Sequence, residues 1–310
     1  MPAARVLAVG LATLDVVQTV DRVPGPDEKV VARGLWVASG GPAANAAVTA
    51  AALGVPAALV TRVGAGALAR VVTEDLAAHD VDLVDLAAPG ASPAVSTVLV
   101  TAATGERAVV SVNATRGDGG TGPSTDGRAL IAGVGAVLVD GHHLDLALEA
   151  AAAARAAGVP VLLDGGSWKA GLERLLALTD VALLSADLRL PGRPDDPPAA
   201  LLAGVRDLGP ALVARSQGGG PVQLLDDDDV VVEVPVPVVT VRDTLGAGDV
   251  LHGALAAWLA LHGLPAGPAG LRAGLAAAAG AASVSCAADG ARGWLADARA
   301  VAAARAAIHA

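Results

Sequence analysis

The stretch Asp243-Thr244-Leu245-Gly246-Ala247-Gly248-Asp249 decides the fold and the chemistry that this chain is expected to have. Gly246 and Gly248 allow a turn of the backbone to approach an anion closely. The apolar sequence that follows, Val250–Leu255, predicts a helix whose first free N–H groups point at that anion. Asp249 falls in the first helical turn, where a carboxylate can accept a proton from an attacking hydroxyl. A glycine turn, a helix N-terminus and a base in this order indicate a phosphoryl-transfer site.

The composition is that of an acidic, apolar chain of 310 residues, long enough for one large α/β domain. The net charge of -10 and the pI of about 4.9 argue against nucleic acid or an anionic membrane as a partner, because both require a basic face. Cys286 is the only cysteine, which excludes an intrachain disulfide and favours a cytoplasmic location. Phe and Tyr are absent, and a GC-rich genome and a deliberate redesign both fit that absence.

Strands alternate with helices along most of the chain. The predicted strands are Val6–Gly10, Ala57–Val63, Val134–Val139, Val159–Leu163, Val181–Leu184, Ala211–Ala214 and Val222–Leu225. The predicted helices are Ala43–Leu53, Leu68–Ala78, Leu144–Ala157, Gly171–Leu178, 249–262 and Ala269–Val284. This alternation predicts a mainly parallel central sheet with helices on both faces. The uncharged segment Gly34–Thr61 is broken by Gly and Pro, so it is not predicted to span a membrane.

Three further strand patterns do not fit the alternation of strands and helices. They lie in Asp27–Ser39, Val95–Thr101 and Ala108–Val112, and the last two are joined at Thr104-Gly105 as a hairpin. We therefore predict a small β appendage beside the central sheet.

A second glycine-rich segment, Gly40-Gly41-Pro42-Ala43-Ala44-Asn45, precedes the first helix. Together with Asp243–Asp249 it resembles the Gly-Gly-x-x-x-Asn and Asp-Thr-x-Gly-Ala-Gly-Asp patterns of the PfkB, or ribokinase-like, carbohydrate kinase family. Matches at Gly10–Asp15 and Thr61–Gly64 extend the resemblance over nearly the whole chain. It implies a ribokinase-like three-layer α/β sandwich spanning 1–310, with a discontinuous β lid from about 13–40 and 92–114. Within the family, the chain is most similar to the ketohexokinase branch.

The resemblance implies roles for the residues of the C-terminal motif. Asp249 corresponds to the catalytic base, and the backbone N–H groups of Gly246, Ala247 and Gly248 would stabilise the transferred phosphoryl group. Asp243 and Thr244 correspond to residues that shape the phosphate and Mg²⁺ region. Capping of a local turn is the alternative role for these last two residues.

Other residues are similar in position to the family's sugar ligands. Asp15 and Asn45 match hydroxyl-binding residues, and Gly41 would allow the backbone to approach the sugar. Asp27 and Asn113 are two further candidates from the lid. For Asp27 the alternative is a solvated turn, and for Asn113 it is a turn at the end of a strand.

Candidate nucleotide contacts follow two predicted strands. Lys169 comes shortly after a buried strand, where ligands of α/β sheets bind, although a surface lysine is the alternative. Arg215, Ser216 and Gly218 occupy the nucleotide loop, where many relatives have Thr-x-Gly. The Asn-x-x-Glu pattern that organises Mg²⁺ in many relatives is missing near 185–188, so the metal ligands stay unassigned.

The resemblance implies an ATP-dependent and Mg²⁺-dependent sugar kinase that phosphorylates a hydroxyl of a small carbohydrate, with a ketohexose such as fructose as the first expectation. A nucleoside kinase and a catalytically weak binding protein are the alternatives. Trp36 is the one candidate for stacking on a second base, and Gly280–Gly293 is similar to the family's adenine-side segment. The exposed β edges of a lid predict a homodimer.

Overall fold

The computed structural model describes residues 4–112 and 126–310. Its strands are β1 (Arg5–Val9), β2 (Thr13–Val20), β3 (Gly34–Gly40), β4 (Ala57–Thr61), β5 (Val81–Asp85), β6 (Ala94–Thr101), β7 (Arg107–Ser111), β8 (Val134–Val139), β9 (Val161–Gly165), β10 (Val181–Leu184), β11 (Leu212–Gln217), β12 (Gly220–Leu225) and β13 (Val231–Val234). Its helices are α1 (Pro42–Ala52), α2 (Ala67–Ala78), α3 (Gly127–Ile131), α4 (Leu144–Ala157), α5 (Leu172–Leu176), α6 (Pro198–Arg206), α7 (Ala247–His262), α8 (Pro268–Cys286) and α9 (Ala298–His309), with a 3-10 turn at Gly293–Ala296.

The central sheet has the strand order β13-β12-β11-β10-β9-β8-β1-β4-β5. The strands from β11 to β5 in this order pair in parallel, and β12 and β13 add an antiparallel edge. Both faces of the sheet are covered, as parallel sheets require. On β1, for example, Val6 and Ala8 belong to the hydrophobic cluster that includes α1, α7 and α8, whereas Leu7 and Val9 belong to the cluster that includes α4 and α6. The predicted three-layer α/β sandwich is therefore confirmed.

The core is filled mainly by Leu, Val and Ala, with Trp294 as its one fully buried aromatic side chain among the described residues, because the chain has no Phe and no Tyr. Small side chains allow helices to approach closely. A Cβ placed on Gly253 of α7 would lie 2.4 Å from the carbonyl oxygen of Ala46 on α1, so only glycine fits at this contact. The close contact brings the N-terminal halves of α1 and α7 together at the carboxyl ends of the parallel strands.

A second sheet forms the lid, with the order β3-β2-β6-β7 and strands taken from 13–40 and 94–111. Side chains directly opposite each other on paired strands share a face. Asp15 pairs with Ala38, and Val17 pairs with Trp36, so these four side chains lie on the same face of the lid. All four line a cavity between the lid and the C-terminal part of the chain.

Several elements differ from the sequence expectations. The strand predicted over Asp27–Ser39 begins only at Gly34. The sequence patterns also missed β5, α6, β13 and α9. None of the described helices has the length and apolar character needed to cross a membrane.

Candidate active site

The glycine turn before α7 has the left-handed geometry that its sequence predicts. Gly246 is the N-cap residue with φ 75°, and a Cβ there would lie 2.5 Å from the Cβ of Ala291. The helix begins at Ala247, before the predicted start at Asp249. Asp249 is consequently the third residue of the helix and stays in its first turn, where the positive end of the helix dipole favours a negative charge.

Asp249 lies between α1 and the central sheet, with one side open to solvent. The Nδ2 group of Asn45 donates a hydrogen bond of 2.7 Å to its Oδ2. Burial, followed by the neighbouring charge of Asp164, raises the pKa of the Asp249 carboxyl to about 7. The bond from Asn45 and the neighbouring His252 act in the opposite direction, and Asp140 adds a smaller upward effect. In this environment the Asp249 carboxyl group can gain and lose a proton near neutral pH.

Asp164 and His252 are two buried titratable groups next to Asp249. Asp164 is buried at the end of β9, and burial is the main reason that its pKa is raised. Its Oδ1 lies 3.5 Å from Nε2 of His252. The two ring nitrogens of His252 also lie 2.7 Å from the Gly248 carbonyl oxygen and 2.9 Å from that of Leu183. His252 therefore connects α7 to β10.

A cavity of about 770 Å³ opens on one side of the Asn45–Asp249 pair, between the lid and the C-terminal part of the chain. Its polar lining includes Asp15 and Asn45, two of the predicted sugar ligands. The Thr13 hydroxyl donates a bond of 2.6 Å to the Asp15 carboxylate. A Cβ on Gly40 would lie 1.9 Å from that carboxylate, so the glycine provides the space that the carboxylate occupies. We refer to this space as the acceptor cavity.

Arg292 is a residue of the acceptor cavity that sequence reasoning missed. Its Nε and Nη2 groups donate to Oδ1 of Asn45 at 3.2 and 2.9 Å. Nη1 donates to Asp75 of α2 at 2.5 Å, and Nη2 donates to the Ser39 hydroxyl at 3.0 Å. The only signal in the sequence was one arginine between two glycines, at Gly290-Ala291-Arg292-Gly293.

A second cavity, of about 480 Å³, lies on the other side of the α7 N-terminus. Thr244, Ala247 and Gly248 line it together with the predicted nucleotide-loop residues Ser216 and Gly218. Its remaining walls are mainly apolar and come from 236–241 and α8. We refer to this space as the nucleotide cavity.

Arg107 reaches the nucleotide side of the site from the lid. Its Nη2 donates to the Thr244 hydroxyl at 2.9 Å, so β7 brings a cation to the residue that precedes the glycine turn. The sequence identified the hairpin before Arg107 but gave no sign of this contact, because the two residues lie far apart in the chain.

Other predicted site residues occupy different positions. Asp27 is exposed on a turn with φ 56°, outside the residues that line the acceptor cavity, which matches the alternative of a solvated turn. Gly41 has φ 95°, and its Cβ would lie 2.4 Å from the Leu11 carbonyl oxygen, so backbone packing already requires glycine. Lys169 lines neither cavity, and its Nζ lies 3.4 Å from the Asp140 carbonyl oxygen. Asn113 lies outside the described residues.

Two further assignments are refined by the hydrogen bonds. Asp243 accepts bonds of 2.9 Å from the backbone N–H groups of Leu245 and Gly290, which is the turn-capping role considered from the sequence. The segment 280–293, expected on the adenine side, is divided between the cavities. Its helical part lines the nucleotide cavity, whereas 290–293 lines the acceptor cavity.

The nucleotide loop provides few free side-chain donors. Arg215 donates to the Ala186 carbonyl oxygen at 2.5 Å, and the Ser216 hydroxyl donates to that of Leu184 at 3.3 Å. In the described part of the chain, no group of three or more His, Cys, Asp or Glu side chains is arranged to hold a metal ion. Asp187 is a carboxylate that lines the nucleotide cavity.

Comparison with known proteins identifies the family. The model of the pfkB family carbohydrate kinases matches residues 3–297. The chain belongs to this family. Family membership makes it a carbohydrate kinase, a phosphotransferase that uses an alcohol group as acceptor. The resemblance inferred from Gly40–Asn45 and Asp243–Asp249 is thereby confirmed.

Solved structures of ribokinases share the fold of this pfkB-family kinase. A putative ribokinase from Agrobacterium tumefaciens is 27% identical, with 98% of each chain covered and a TM-score of 0.77. Arabidopsis thaliana ribokinase in complex with ribose and ATP is 24% identical, with 98% and 99% covered and a TM-score of 0.78. Phosphofructokinase-2 from Escherichia coli is 18% identical over the whole of both chains, with a TM-score of 0.74. These relatives give no support to the ketohexokinase branch.

Proposed function

We propose that this protein transfers the γ-phosphoryl group of ATP to a hydroxyl of a small carbohydrate, with Asp249 as the base. One observation carries the proposal. Asp249 accepts a hydrogen bond from Asn45, which lines the acceptor cavity, and it directly follows Gly248, which lines the nucleotide cavity. A base at the junction of two cavities can take the proton of a hydroxyl bound on one side as a phosphoryl group arrives from the other.

The ionisation of Asp249 suits this role. With a pKa of about 7, the group is a stronger base than an exposed carboxylate and is still largely ionised at slightly alkaline pH. Because the transition state of phosphoryl transfer is loose, the proton leaves late, and correct placement of the acceptor hydroxyl contributes more than basicity. Asn45 serves that placement because it holds one carboxylate oxygen and leaves the other for the hydroxyl.

The nucleotide cavity supplies the features that ATP requires. Its apolar part fits a purine ring, and its polar end lies at the N-terminus of α7, where phosphate is favoured by the helix dipole. Gly248 carries no side chain that would obstruct a phosphoryl group. The Ala247 N–H, which was expected to bind that group, is instead donated to the Thr244 carbonyl oxygen at 3.3 Å. Mg²⁺ bound with ATP would neutralise phosphate charge. Such an ion needs few protein carboxylates, and Asp187, which lines the nucleotide cavity, is the one that could contact it.

The acceptor cavity favours a polyhydroxylated ligand. The Asp15 carboxylate and the Asn45 carboxamide accept and donate hydrogen bonds in fixed geometry, as recognition of vicinal hydroxyls requires. A ketohexose remains one acceptor to test beside ribose, because the relatives include ribokinases. A nucleoside is the second candidate, and it is favoured by one observation, namely that the ring of Trp36 lines this cavity.

We further propose that the protein is a cytoplasmic homodimer formed through the lid. Leu35, Val37 and Val110 are exposed and lie on the face of the lid opposite to Asp15, where a second copy could cover them. A free Cys286 fits a reducing compartment. Sedimentation analysis of the protein and of Val110→Asp tests the dimer, and a monomeric wild-type protein would exclude it.

The function is tested by measuring ADP release with ATP and a panel containing ribose, fructose, fructose 6-phosphate and adenosine. We expect acceptor-dependent ADP and a phosphorylated product with at least one sugar. If adenosine is the only acceptor that yields a product, the protein would be assigned as a nucleoside kinase instead of a sugar kinase. No product with any member, despite measurable ATP binding, would contradict the proposal for these acceptor classes.

A further inference from the structure

Arg292 occupies an unusual place for a positive charge, because its side chain is only 13% exposed and lies in the wall of the acceptor cavity. A buried guanidinium needs partners for its donors. Those partners come from three separate elements: Asn45 from α1, Asp75 from α2 and Ser39 from the end of β3. The side chain therefore connects the lid and two helices at a point one residue away from the base.

The contact with Asn45 has a consequence for hydrogen-bond direction. An arginine side chain carries donors only, so the Asn45 atom that faces Arg292 must be the acceptor Oδ1. This orientation of the amide directs Nδ2 at Asp249, to which it donates a hydrogen bond of 2.7 Å. If the amide turned over, Oδ1 would face the Asp249 carboxylate and the bond would be lost.

Asp75 keeps Arg292 in this position. Burial opposes ionisation of Asp75, but bonds from the Ser39 hydroxyl and backbone N–H and the charge of Arg292 hold its pKa below the usual value. An ionised Asp75 therefore anchors Nη1, while Nε and Nη2 remain directed at Asn45.

We propose that Arg292 is a positioning residue that fixes the amide of Asn45 in the orientation that donates to Asp249 and thereby favours the ionised base. This inference rests on the proposed function, in which Asp249 is the base. Arg292 itself has no part in the proton transfer, and it acts through Asn45. The other charged or titratable groups around Asp249 are Asp164, Asp140 and His252, which belong to β9, the segment after β8 and α7.

Arg292→Met and Arg292→Lys test the proposal. Both variants release the Asn45 amide, because they lack the planar guanidinium whose Nε and Nη2 together hold Oδ1 of Asn45, and a lysine ammonium does not reproduce that two-point contact. Loss of a hydrogen bond to a charged group should raise the pKa of Asp249 by about one unit in Arg292→Lys, and by at least as much in Arg292→Met, which also removes a positive charge that attracts the Asp249 carboxylate. The acidic limb of the kcat/KM profile should move upward by the same amount, so the rate falls about tenfold well below pH 7 and changes less at pH 9.

The direct readout is a ¹³C NMR titration of carboxyl-labelled aspartates, with the Asp249 signal assigned by its absence in Asp249→Asn. Arg242→Met is the matched control, because Arg242 also lines the acceptor cavity but pairs with Asp289 instead of Asn45. We expect a much smaller shift of the Asp249 pKa in this control. Arg292→Lys keeps the charge and the aliphatic stem, so the test stands even if Arg292→Met does not fold.

Two results would overturn the proposal. An unchanged Asp249 titration in Arg292→Met would show that the amide keeps its orientation without the arginine. A wild-type titration in Arg292→Lys alone would show that Arg292 acts only through its charge. The titration needs no acceptor substrate, so it decides the role of Arg292 even if the acceptor panel yields no product and the proposed function fails.

Discussion

Replacing the base by its amide, Asp249→Asn, should greatly slow turnover and, at alkaline pH, make the protein more stable. The amide has nearly the same shape, and its oxygen can still accept the hydrogen bond from Asn45. What the variant lacks is a carboxyl group that burial and Asp164 hold at a pKa of about 7, compared with an ordinary value of 3.8. The folded protein therefore retains a proton on Asp249 over a pH range in which the unfolded chain has released it.

The sign of the effect on stability follows from this proton. Because the folded-state pKa is raised, the protonated group contributes its stability below about pH 4, and that contribution is lost as the pH rises through about 7. Three pH units at 1.36 kcal/mol each give about 4 kcal/mol for a fully buried group. One side of Asp249 faces solvent, which reduces the expected gain of Asp249→Asn at pH 8 to about 2 to 4 kcal/mol.

The assay compares urea unfolding of the wild type and of Asp249→Asn at pH 4.5 and pH 8. We expect the difference in unfolding free energy to grow with pH in favour of the variant, while turnover at pH 8 falls by about a hundred- to ten-thousand-fold. Asp82→Asn, at an exposed position of β5, is the control and should show no growing advantage. A variant that is no more stable than the wild type at pH 8 would refute the raised pKa, and near-normal turnover would refute the base.

Further substitutions test the glycine turn and the two cavities. Gly246→Ala should destabilise the protein by about 1 to 3 kcal/mol in thermal unfolding, because φ is 75° and the new Cβ meets Ala291. Gly248→Ala should leave stability nearly unchanged, since its Cβ meets no atom within 4 Å, but should lower turnover because the methyl group enters the nucleotide cavity. Arg107→Gln should lower kcat/KM for ATP about tenfold or more with an unaltered melting temperature, and an unchanged value would exclude a phosphate role. Trp36→Ala should raise the acceptor KM by about three- to tenfold and leave the KM for ATP unchanged.

The framework of this fold could be predicted because its strands and helices carry strong local patterns. Val134–Val139, Val181–Leu184 and Leu144–Ala157 were predicted with the bounds that the structure shows. They are continuous apolar strands or a helix that ends at a left-handed glycine, so local sequence determines both their type and their ends. The glycine motif before α7 is local in the same sense. It therefore indicated Asp249 before any tertiary contact was known.

The charged groups that surround the base could not be predicted in this way. Arg292 and Asp75 meet although they are far apart in sequence, and nothing in either local segment distinguishes them from surface residues. Asp27 shows the converse, because its resemblance to a ligand position came from a segment that folds into an exposed turn. Such contacts depend on how the lid and the helices pack, and local patterns do not determine that packing.

The central claim is that Asp249 is the base between the acceptor and nucleotide cavities. It is tested most directly by single-turnover measurements of Asp249→Ala with ATP and the best acceptor of the panel, beside calorimetric measurement of ATP binding. We predict that ATP binds with nearly wild-type affinity while phosphorylated product forms at least about a hundredfold more slowly than in the wild type. Product formation at a near-normal rate in Asp249→Ala would contradict the claim.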